Sequence, residues 1–307
     1  MPLLYFLESI RTPVLDSFFS LMTHFGEEML FIVLGLLIFW CVNKKEGYYL
    51  LSVGLLGMLV NQWLKMLFRI PRPWVRNPEF TIVESARAGA TGYSFPSGHS
   101  QSSVGLYGSI ARWTRSRAVR VVCIAMCVLV PFSRMYLGAH TPWDVGVSVL
   151  AALVILFVLY PIVSRFCDDP GHMRPLFGIM VLLSAGYLAF VQIFPFPADV
   201  DADNLAHGIK SAYTIIGCLL GVFLTWELDH RVIHFDTSAP LPVQAVKLVI
   251  GLALLVGLRT IVKYPLQALF GGHYVAEALR YFLVVAFAGC VWPLTFPWLN
   301  RKLAKQR

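Results

Sequence analysis

A short polar stretch, Thr91–Ser103, joins a loop to an apolar run and carries residue types suited to binding a phosphate. Ser97, Gly98 and His99 stand where a helix is predicted to begin. The free N–H groups of a helix start and its macrodipole favour an anion, and glycine lets a ligand approach the backbone closely. Ser97 also fits an ordinary N-cap, but a capping role does not account for the titratable side chain of His99.

A second group of polar residues precedes this stretch in the chain. Lys65 lies at the predicted end of an apolar run, and Arg72 stands between Pro71 and Pro73. The two prolines restrict the backbone around a side chain that suits bidentate binding of oxyanions. Taken alone, Lys65 is also typical of a lysine that extends from a membrane span to the polar surface.

A third group combines a cation, an imidazole and a carboxylate. Arg134 lies at the end of an apolar run, where a cation is costly unless an anion pairs with it. His140 precedes Asp144 by four residues, and a carboxylate so placed can hold an imidazole in one tautomer and make it a better nucleophile. Thr141 to Asp144, with Pro142 between them, also fits a capping box, which is a structural interpretation of Asp144.

The composition indicates that these residues belong to an integral membrane protein. Of 307 residues, 57% are hydrophobic and only 14% charged, and the mean hydropathy is +0.68. The net charge of +8 does not indicate nucleic-acid binding, because the basic residues gather in the segments that connect apolar runs. The six cysteines lie in or beside apolar runs and are interpreted as buried thiols, so we expect neither a disulfide nor a metal site.

The apolar runs predict an all-α fold, a polytopic membrane helical bundle of about nine transmembrane helices. Their approximate ranges are 28–42, 47–68, 98–112, 118–137, 142–163, 175–194, 207–226, 243–262 and 277–296. Residues 2–25 are too polar for a clean span and predict an amphipathic helix that lies in the membrane interface. The same residues do not fit the pattern of a secretory signal peptide. The loop 69–96 is rich in Pro and Arg and must lie outside the hydrocarbon core.

The distribution of basic residues predicts the orientation of the chain. Thirteen Lys and Arg fall in the connections on one side, which the positive-inside rule makes cytoplasmic: Lys44, Lys45, Arg112, Arg115, Arg117, Arg120, Arg165, Arg174, Arg231, Arg301, Lys302, Lys305 and Arg307. All three polar groups then lie on the opposite face. That face is extracytoplasmic in a bacterium or lumenal in a eukaryotic organelle.

Together, the three groups resemble the signature motifs of the type 2 phosphatidic acid phosphatase (PAP2) superfamily. They are Lys65 with Arg72-Pro73, then Pro96-Ser97-Gly98-His99, then Ser133-Arg134 followed by His140 and Asp144. Their order and internal spacings fit, and the resemblance covers about residues 28–163.

The resemblance implies a role for each of these residues. His140 would attack the phosphorus and become a phosphohistidine, with Asp144 orienting it, and His99 would protonate the leaving alcohol and then activate water. The phosphoryl oxygens would be held by Lys65, Arg72, Ser97, Gly98 and Arg134. No metal or other cofactor is implied, because these bases and the helix start supply the positive field.

The chain also departs from the compact lipid phosphatases of this superfamily. A six-helix core with three spans before the first motif is typical of those enzymes. In this chain only two strong spans precede Lys65. Nine spans with an outer N-terminus are similar to the glucose-6-phosphatase group and to sphingosine-phosphate phosphatases. The sequence therefore predicts an interfacial segment at 1–27, a PAP2-like catalytic helical core at 28–165 and a four-helix membrane extension at 166–307.

The extension carries ionisable residues in or beside its predicted spans: Lys247, Arg259, Lys263, Glu277 and Arg280. They could form a polar wall that selects the head group. The preferred interpretation is structural, with cations extending to the membrane surface and an ion pair between Glu277 and Arg280 on one helix turn.

The leading functional hypothesis is a metal-independent phosphatase that hydrolyses a lipid phosphate or diphosphate on the extracytoplasmic or lumenal face. Its partners would be the lipid substrate and membrane lipids, not nucleic acid. The expected location is the bacterial inner membrane, or the endoplasmic reticulum in a eukaryote. Two alternatives stand beside it: a sugar-phosphate phosphatase, and a non-catalytic protein that binds or transports lipid phosphates.

Overall fold

The computed structural model describes residues 1–304, which form α-helices joined by loops without a β-strand. The chain begins with two short helices, α1 (Pro2–Ser9) and α2 (Pro13–His24). The helices that follow are α3 (Glu28–Leu37), α4 (Lys44–Phe68), α5 (Pro73–Arg76), α6 (Gly98–Trp113), α7 (Arg117–Tyr136), α8 (Pro142–Phe166), α9 (Pro170–Ile193), α10 (Ala202–Leu228), α11 (Leu241–Ile261), α12 (Lys263–Leu269), α13 (Val275–Ala286) and α14 (Phe296–Ala304). Turns of π-helix extend α3 through Ile38–Val42, α10 through Asp229–Ile233 and α13 through Phe287–Val291. The predicted all-α fold is confirmed.

Seven helices among the described residues are long and apolar enough to cross a membrane, or eight if α2 and α3 are counted as one span bent by 47°. Each of the nine predicted spans corresponds to a helical segment. Two of these segments, α3 with its π-turn and α6, are too short to be among the seven. The polytopic membrane architecture is thus supported, while the count of nine stays a prediction. Of the bases used for orientation, Lys305 and Arg307 lie outside the described residues.

The N-terminal segment, expected to be one helix, consists of two. Pro13 disfavours the helical conformation in the residue before it, and Thr12 is extended, with φ −141° and ψ 154°. Thr12 then caps α2 by accepting a hydrogen bond from the N–H of Leu15 at 3.3 Å. The break between α1 and α2 therefore follows from the Thr-Pro pair.

The packing of the chain defines two compact units. The first unit contains Met1–Ile32, Ser52–Leu159 and Pro195–Gly208, and the second contains Val33–Leu51, Tyr160–Phe194 and the chain from Ile209 onward. All eight predicted site residues lie in the first unit. The domain boundaries expected from the sequence stay a prediction.

The core of the first unit includes both N-terminal helices. Leu7 of α1 and Phe19 of α2 pack with Ile82 of the loop between α5 and α6 and with Tyr136 of α7. The rings of Phe19 and Tyr136 have centroids 4.3 Å apart. The N-terminal helices are therefore packed against the helix that carries Arg134.

The second unit contains buried charges of its own. Lys247 of α11 has no exposed surface, and its Nζ lies 4.5 Å from the ring centroid of Phe296. Its carbonyl accepts a hydrogen bond from the indole of Trp292 at 3.0 Å. Glu277 and Arg280 form the expected ion pair on α13, and both are buried. Nζ of Lys247 also donates to the carbonyl of Asp236, in the loop before α11, at 3.5 Å. The preferred interpretation, in which this cation extends to the membrane surface, stays a prediction.

Candidate active site

Ser97 caps the N-terminal end of α6. Ser97 is extended, and its Oγ accepts hydrogen bonds from the N–H of Ser100 at 3.4 Å and from the hydroxyl of Ser100 at 2.9 Å. Gly98 is the first helical residue, and a Cβ added there would come no closer than 4.0 Å to the side chain of Asn61. The cap predicted for Ser97 is confirmed. The helix start leaves N–H groups near Gly98 that can receive an anion.

The turn between α7 and α8 places His140 beside Asp144. Gly138 has φ +82°, a conformation that glycine adopts readily. The N–H groups of Ala139 and His140 both donate to the carbonyl of Arg134, at 3.0 and 3.2 Å. These bonds fold the chain back, so that His140 Nδ1 lies 3.7 Å from Asp144 Oδ2.

Asp144 has the capping role that the sequence suggested, and its carboxylate lies close to His140 without a hydrogen bond to Nδ1. Its Oδ2 accepts from the N–H of Thr141 at 2.7 Å, and its own N–H donates to the Thr141 hydroxyl at 3.2 Å, which completes a capping box. The same Oδ2 accepts from the hydroxyl of Ser94 at 2.6 Å and faces His140. The Asp144 carbonyl also accepts from the N–H of Ser97 at 3.1 Å, which ties the start of α8 to the start of α6.

Arg72 is held by four hydrogen bonds and contacts His140 directly. Its guanidinium donates to the carbonyls of Thr91, Gly92 and Ala139, at 2.6, 3.1 and 3.2 Å. Its Nη1 also lies 2.8 Å from His140 Nε2. Because arginine has no acceptor, Nε2 must be the unprotonated nitrogen, and the proton of a neutral imidazole is then on Nδ1, toward Asp144.

Lys65 and Arg134 complete the group of buried cations. Lys65 donates to the carbonyl of Tyr93, the neighbour of Ser94, and is only 6% exposed. This burial argues against the alternative in which Lys65 extends to the polar surface. Arg134 is 1% exposed and donates from Nη1 to the hydroxyl of Thr23 at 2.7 Å. Its Nε and Nη2 have no hydrogen-bond partner among the described residues.

The surroundings of His140 favour the neutral imidazole. Burial lowers the pKa of His140 well below its usual value, and the nearby charges of Arg72, Arg134, Lys65 and His99 lower it further. The three predicted motifs meet at this turn, because Arg72 contacts His140 and the N–H of Ser97 donates to the carbonyl of Asp144. No hydrogen bond from the described residues reaches the side chain of His99, so that imidazole is not committed to a protein partner.

The structure thus brings all eight predicted residues together within the first unit, where six are buried and Gly98 and His99 are partly exposed. Two further contributors were missed in the sequence. Ser94 lies in the same polar loop as Ser97, so a search of that loop for hydroxyls could have found it. Thr23 is 111 residues from Arg134, and no local spacing connects them. Among the described residues, no group of three or more His, Cys, Asp or Glu is arranged to hold a metal ion.

Two regions of the chain match models of one known protein family. Residues 46–167 match the PAP2 superfamily, and residues 213–306 match the PAP2 superfamily phosphatase transmembrane extension. The fold and these matches define an integral membrane phosphatase. The two matches together cover most of the chain, which belongs to the PAP2 superfamily.

Several characterised relatives act on lipid phosphates, according to their names. The chain is 28% identical to the undecaprenyl-diphosphatase BcrC of Bacillus subtilis over 177 residues, which are 56% of the chain and 84% of that protein. It is 28% identical to phosphatidylglycerophosphatase B of the same species, over 49% of the chain and 76% of that protein. It is 26% identical to sphingosine-1-phosphate phosphatase 1 of Mus musculus, over 64% of the chain but only 48% of that protein. The chain therefore spans about half the length of the mouse relative. No solved structure matches it significantly.

Proposed function

We propose that this protein hydrolyses a lipid phosphate or lipid diphosphate through a phosphohistidine on His140, without a metal ion, on the extracytoplasmic or lumenal face of its membrane. The observation that carries the proposal is the contact of 2.8 Å between Arg72 Nη1 and His140 Nε2. It identifies Nε2 as the unprotonated ring nitrogen, in a region that three buried cations surround. Such a region suits a phosphoryl group, whose charge redistributes over its oxygens during transfer. The lone pair of Nε2 becomes free for attack when a phosphoryl oxygen replaces Nε2 as the acceptor of the Arg72 N–H.

The first chemical step is attack by His140 Nε2 on phosphorus. A P–N bond forms, and the bond between phosphorus and the leaving oxygen breaks. His99 donates a proton to that oxygen, so the lipid leaves as an alcohol or, from a diphosphate, as a monophosphate. Asp144 faces Nδ1 and stabilises the positive charge that develops on the ring of His140.

The second step releases the phosphate. Water attacks the phosphorus, His99 accepts a proton from that water, and the P–N bond breaks to regenerate neutral His140. Throughout, Lys65, Arg72 and Arg134, with Ser97 and the N–H groups at Gly98, hold the phosphoryl oxygens. Nε and Nη2 of Arg134 are two buried donors that such oxygens would satisfy.

The proposal of a lipid substrate has two supports. The relatives named above carry names of lipid phosphatases, among them a diphosphatase and two monophosphatases. The site also lies in a chain with at least seven candidate membrane spans, so a lipid in the same bilayer can approach it. Residues 28–165 would form the catalytic core and residues 166–307 the membrane extension.

Phosphate release tests the proposal. Purified protein in detergent would be given phosphatidic acid, phosphatidylglycerol phosphate, sphingosine phosphate, undecaprenyl diphosphate and glucose 6-phosphate. We expect release from at least one lipid and its loss in His140→Ala. We also expect activity to persist in EDTA, and glucose 6-phosphate not to compete with the lipid.

Four outcomes would contradict the proposal. Wild-type rates in His140→Ala would rule out the nucleophile. Loss of activity in EDTA that added Mg2+ restores would rule out metal independence. Preferential hydrolysis of glucose 6-phosphate would favour the sugar-phosphate alternative, and lipid binding without any phosphate release would favour a binding or transport protein.

A further inference from the structure

The C-terminal end of α2 makes a direct contact with the side chain of Arg134. Thr23 is 6% exposed, and its Oγ1 accepts a hydrogen bond from Arg134 Nη1 at 2.7 Å. This contact occupies only one nitrogen of the guanidinium. Nε and Nη2 are buried and have no partner among the described residues.

The neighbours of Thr23 contact both helices that carry the site. The carbonyl of Phe25 accepts a hydrogen bond from the hydroxyl of Tyr107 on α6 at 3.0 Å. Gly26 packs so closely that an added Cβ would lie 3.0 Å from the carbonyl oxygen of His99 and 2.6 Å from the side chain of Val130 on α7. The segment 22–26 is therefore packed against both α6 and α7.

This segment lies outside both regions that match the PAP2 superfamily, which begin at residues 46 and 213. The three motifs therefore do not describe its contacts. The geometry of the guanidinium gives the contact a specific meaning. Nε and Nη2 form one edge of that planar group, and this edge can bind two oxygens of a phosphoryl group at once.

We propose that Thr23 is a positioning residue, whose hydroxyl holds Nη1 of Arg134 so that the edge formed by Nε and Nη2 faces the phosphoryl group. A hydroxyl suits this role because it accepts a hydrogen bond without neutralising the guanidinium. A carboxylate in its place would compete with the substrate for the positive charge. The inference rests on the proposed function, because it assigns Arg134 to the phosphoryl oxygens.

The test uses a pair of substitutions at position 23 in the full chain. Thr23→Val keeps the shape and removes the acceptor, whereas Thr23→Ser keeps the hydroxyl. Phosphate release from a lipid that the wild type hydrolyses gives kcat and KM, and inhibition by orthovanadate reports binding of a phosphate analogue. Thr260→Val, an exposed threonine on α11 in the second unit, is the matched control for the substitution itself.

Thr23→Val removes a hydrogen bond to a charged group. We therefore expect kcat/KM to fall by about 10-fold to 100-fold and vanadate to inhibit more weakly. Thr23→Ser and Thr260→Val are expected to stay within about threefold of the wild type by the same reasoning. In an Arg134→Lys background there is no planar edge to orient. Thr23→Val should then change vanadate inhibition by less than about twofold, a coupling that a purely structural role does not produce.

Several outcomes would overturn the inference. One is wild-type kcat/KM in Thr23→Val, and another is the same loss in the Arg134→Lys background as in the native one. If Thr23→Val does not fold, as judged by gel filtration and thermal unfolding, Thr23→Ser decides: a folded serine variant that loses 10-fold in kcat/KM contradicts the role of the hydroxyl. No phosphate release by the wild type would overturn the proposed function and this inference with it, whereas an active wild type with an unaffected Thr23→Val overturns this inference alone.

Discussion

His140 lies among cations, and this placement determines how it can react. The guanidinium of Arg72 fixes Nε2 as the acceptor nitrogen, and Asp144 lies 3.7 Å from Nδ1. A ring so held is neutral before the reaction and becomes positively charged only as the P–N bond forms. The carboxylate can stabilise that charge at the moment when it develops.

The pH dependence of kcat/KM should report this environment. Burial and then the charges of Arg72, Arg134, Lys65 and His99 lower the pKa of His140. The imidazole therefore gains its proton only at a pH below about 6.5, the usual histidine value, and the acid limb of the wild-type profile should lie below that pH. Arg72→Gln removes one of the charges, raises the pKa of His140 and should move the limb upward.

The control for this measurement is Arg87→Gln, because Arg87 is an exposed arginine that pairs with Glu84 in the loop after α5. It should leave the limb unchanged, and use of one substrate for all variants removes the effect of substrate ionisation. An acid limb that Arg72→Gln and Arg87→Gln shift equally, or not at all, would contradict the account of His140.

At the scale of elements, the turn between α7 and α8 is packed against Arg11, between α1 and α2, and against the loop after α5. Gly138 has φ +82°, and an added Cβ would lie 2.8 Å from the carbonyl oxygen of Thr81 and 2.7 Å from Nη2 of Arg11. The N–H of Val83 donates to the carbonyl of Leu137 at 2.9 Å, so the loop after α5 packs directly on this turn. The position of His140 depends on this arrangement.

Gly138→Ala should therefore destabilise the protein by about 1–3 kcal/mol, the usual cost of a non-glycine residue in such a conformation. It should also lower kcat, because His140 is two residues away. Gly146→Ala on α8 is the matched control, since no atom lies within 4 Å of its added Cβ and alanine favours a helix. Thermal unfolding in detergent measures both variants, and equal midpoints would contradict this role for Gly138.

Most elements could be predicted from the sequence because their signals are local. Apolar runs defined the nine helical segments, and Thr141 to Asp144 was recognised as a capping box that the structure contains. The break before Pro13 was also local, but the expectation of one interfacial helix missed it. The contact of Thr23 with Arg134 could not be predicted, because it depends on packing between residues 111 positions apart.

The residues of the site were predicted more completely than the contacts that orient them. The eight residues named from the three motifs meet around His140, yet the interactions that orient them come mainly from backbone carbonyls. Arg72 is held by the carbonyls of Thr91, Gly92 and Ala139, and any residue type supplies a carbonyl. A sequence pattern therefore carries no signal for these contacts.

On the scale of the whole molecule, the first compact unit is larger than the region that matches the PAP2 superfamily. It includes residues 1–32 and 195–208 in addition to most of that region. Within the segment 195–208, His207 lies 3.3 Å from the position of a Cβ at Gly92, and the ring of Phe196 lies 5.6 Å from the guanidinium of Arg69. These segments add contacts around the loop that holds Arg72.

The proposed orientation makes a prediction for the entire chain. Glu79 and Arg115 are both exposed and lie in loops assigned to opposite faces. In a background without the six native cysteines, Glu79→Cys should react with a membrane-impermeant maleimide in intact cells or sealed lumen-out vesicles. Arg115→Cys should react only after permeabilisation, because the positive-inside rule places it in the cytoplasm. The reverse pattern would place the site on the cytoplasmic face.

The central claim is that phosphorus is transferred to His140, and the most direct test is to trap the intermediate. Wild-type protein would be mixed with a 32P-labelled lipid substrate and quenched in alkali, and the labelled peptide identified by mass spectrometry. We predict alkali-stable, acid-labile label on the peptide that contains His140, and no label in His140→Ala. Label on another residue, or rapid hydrolysis without label together with an active His140→Ala variant, would contradict the account.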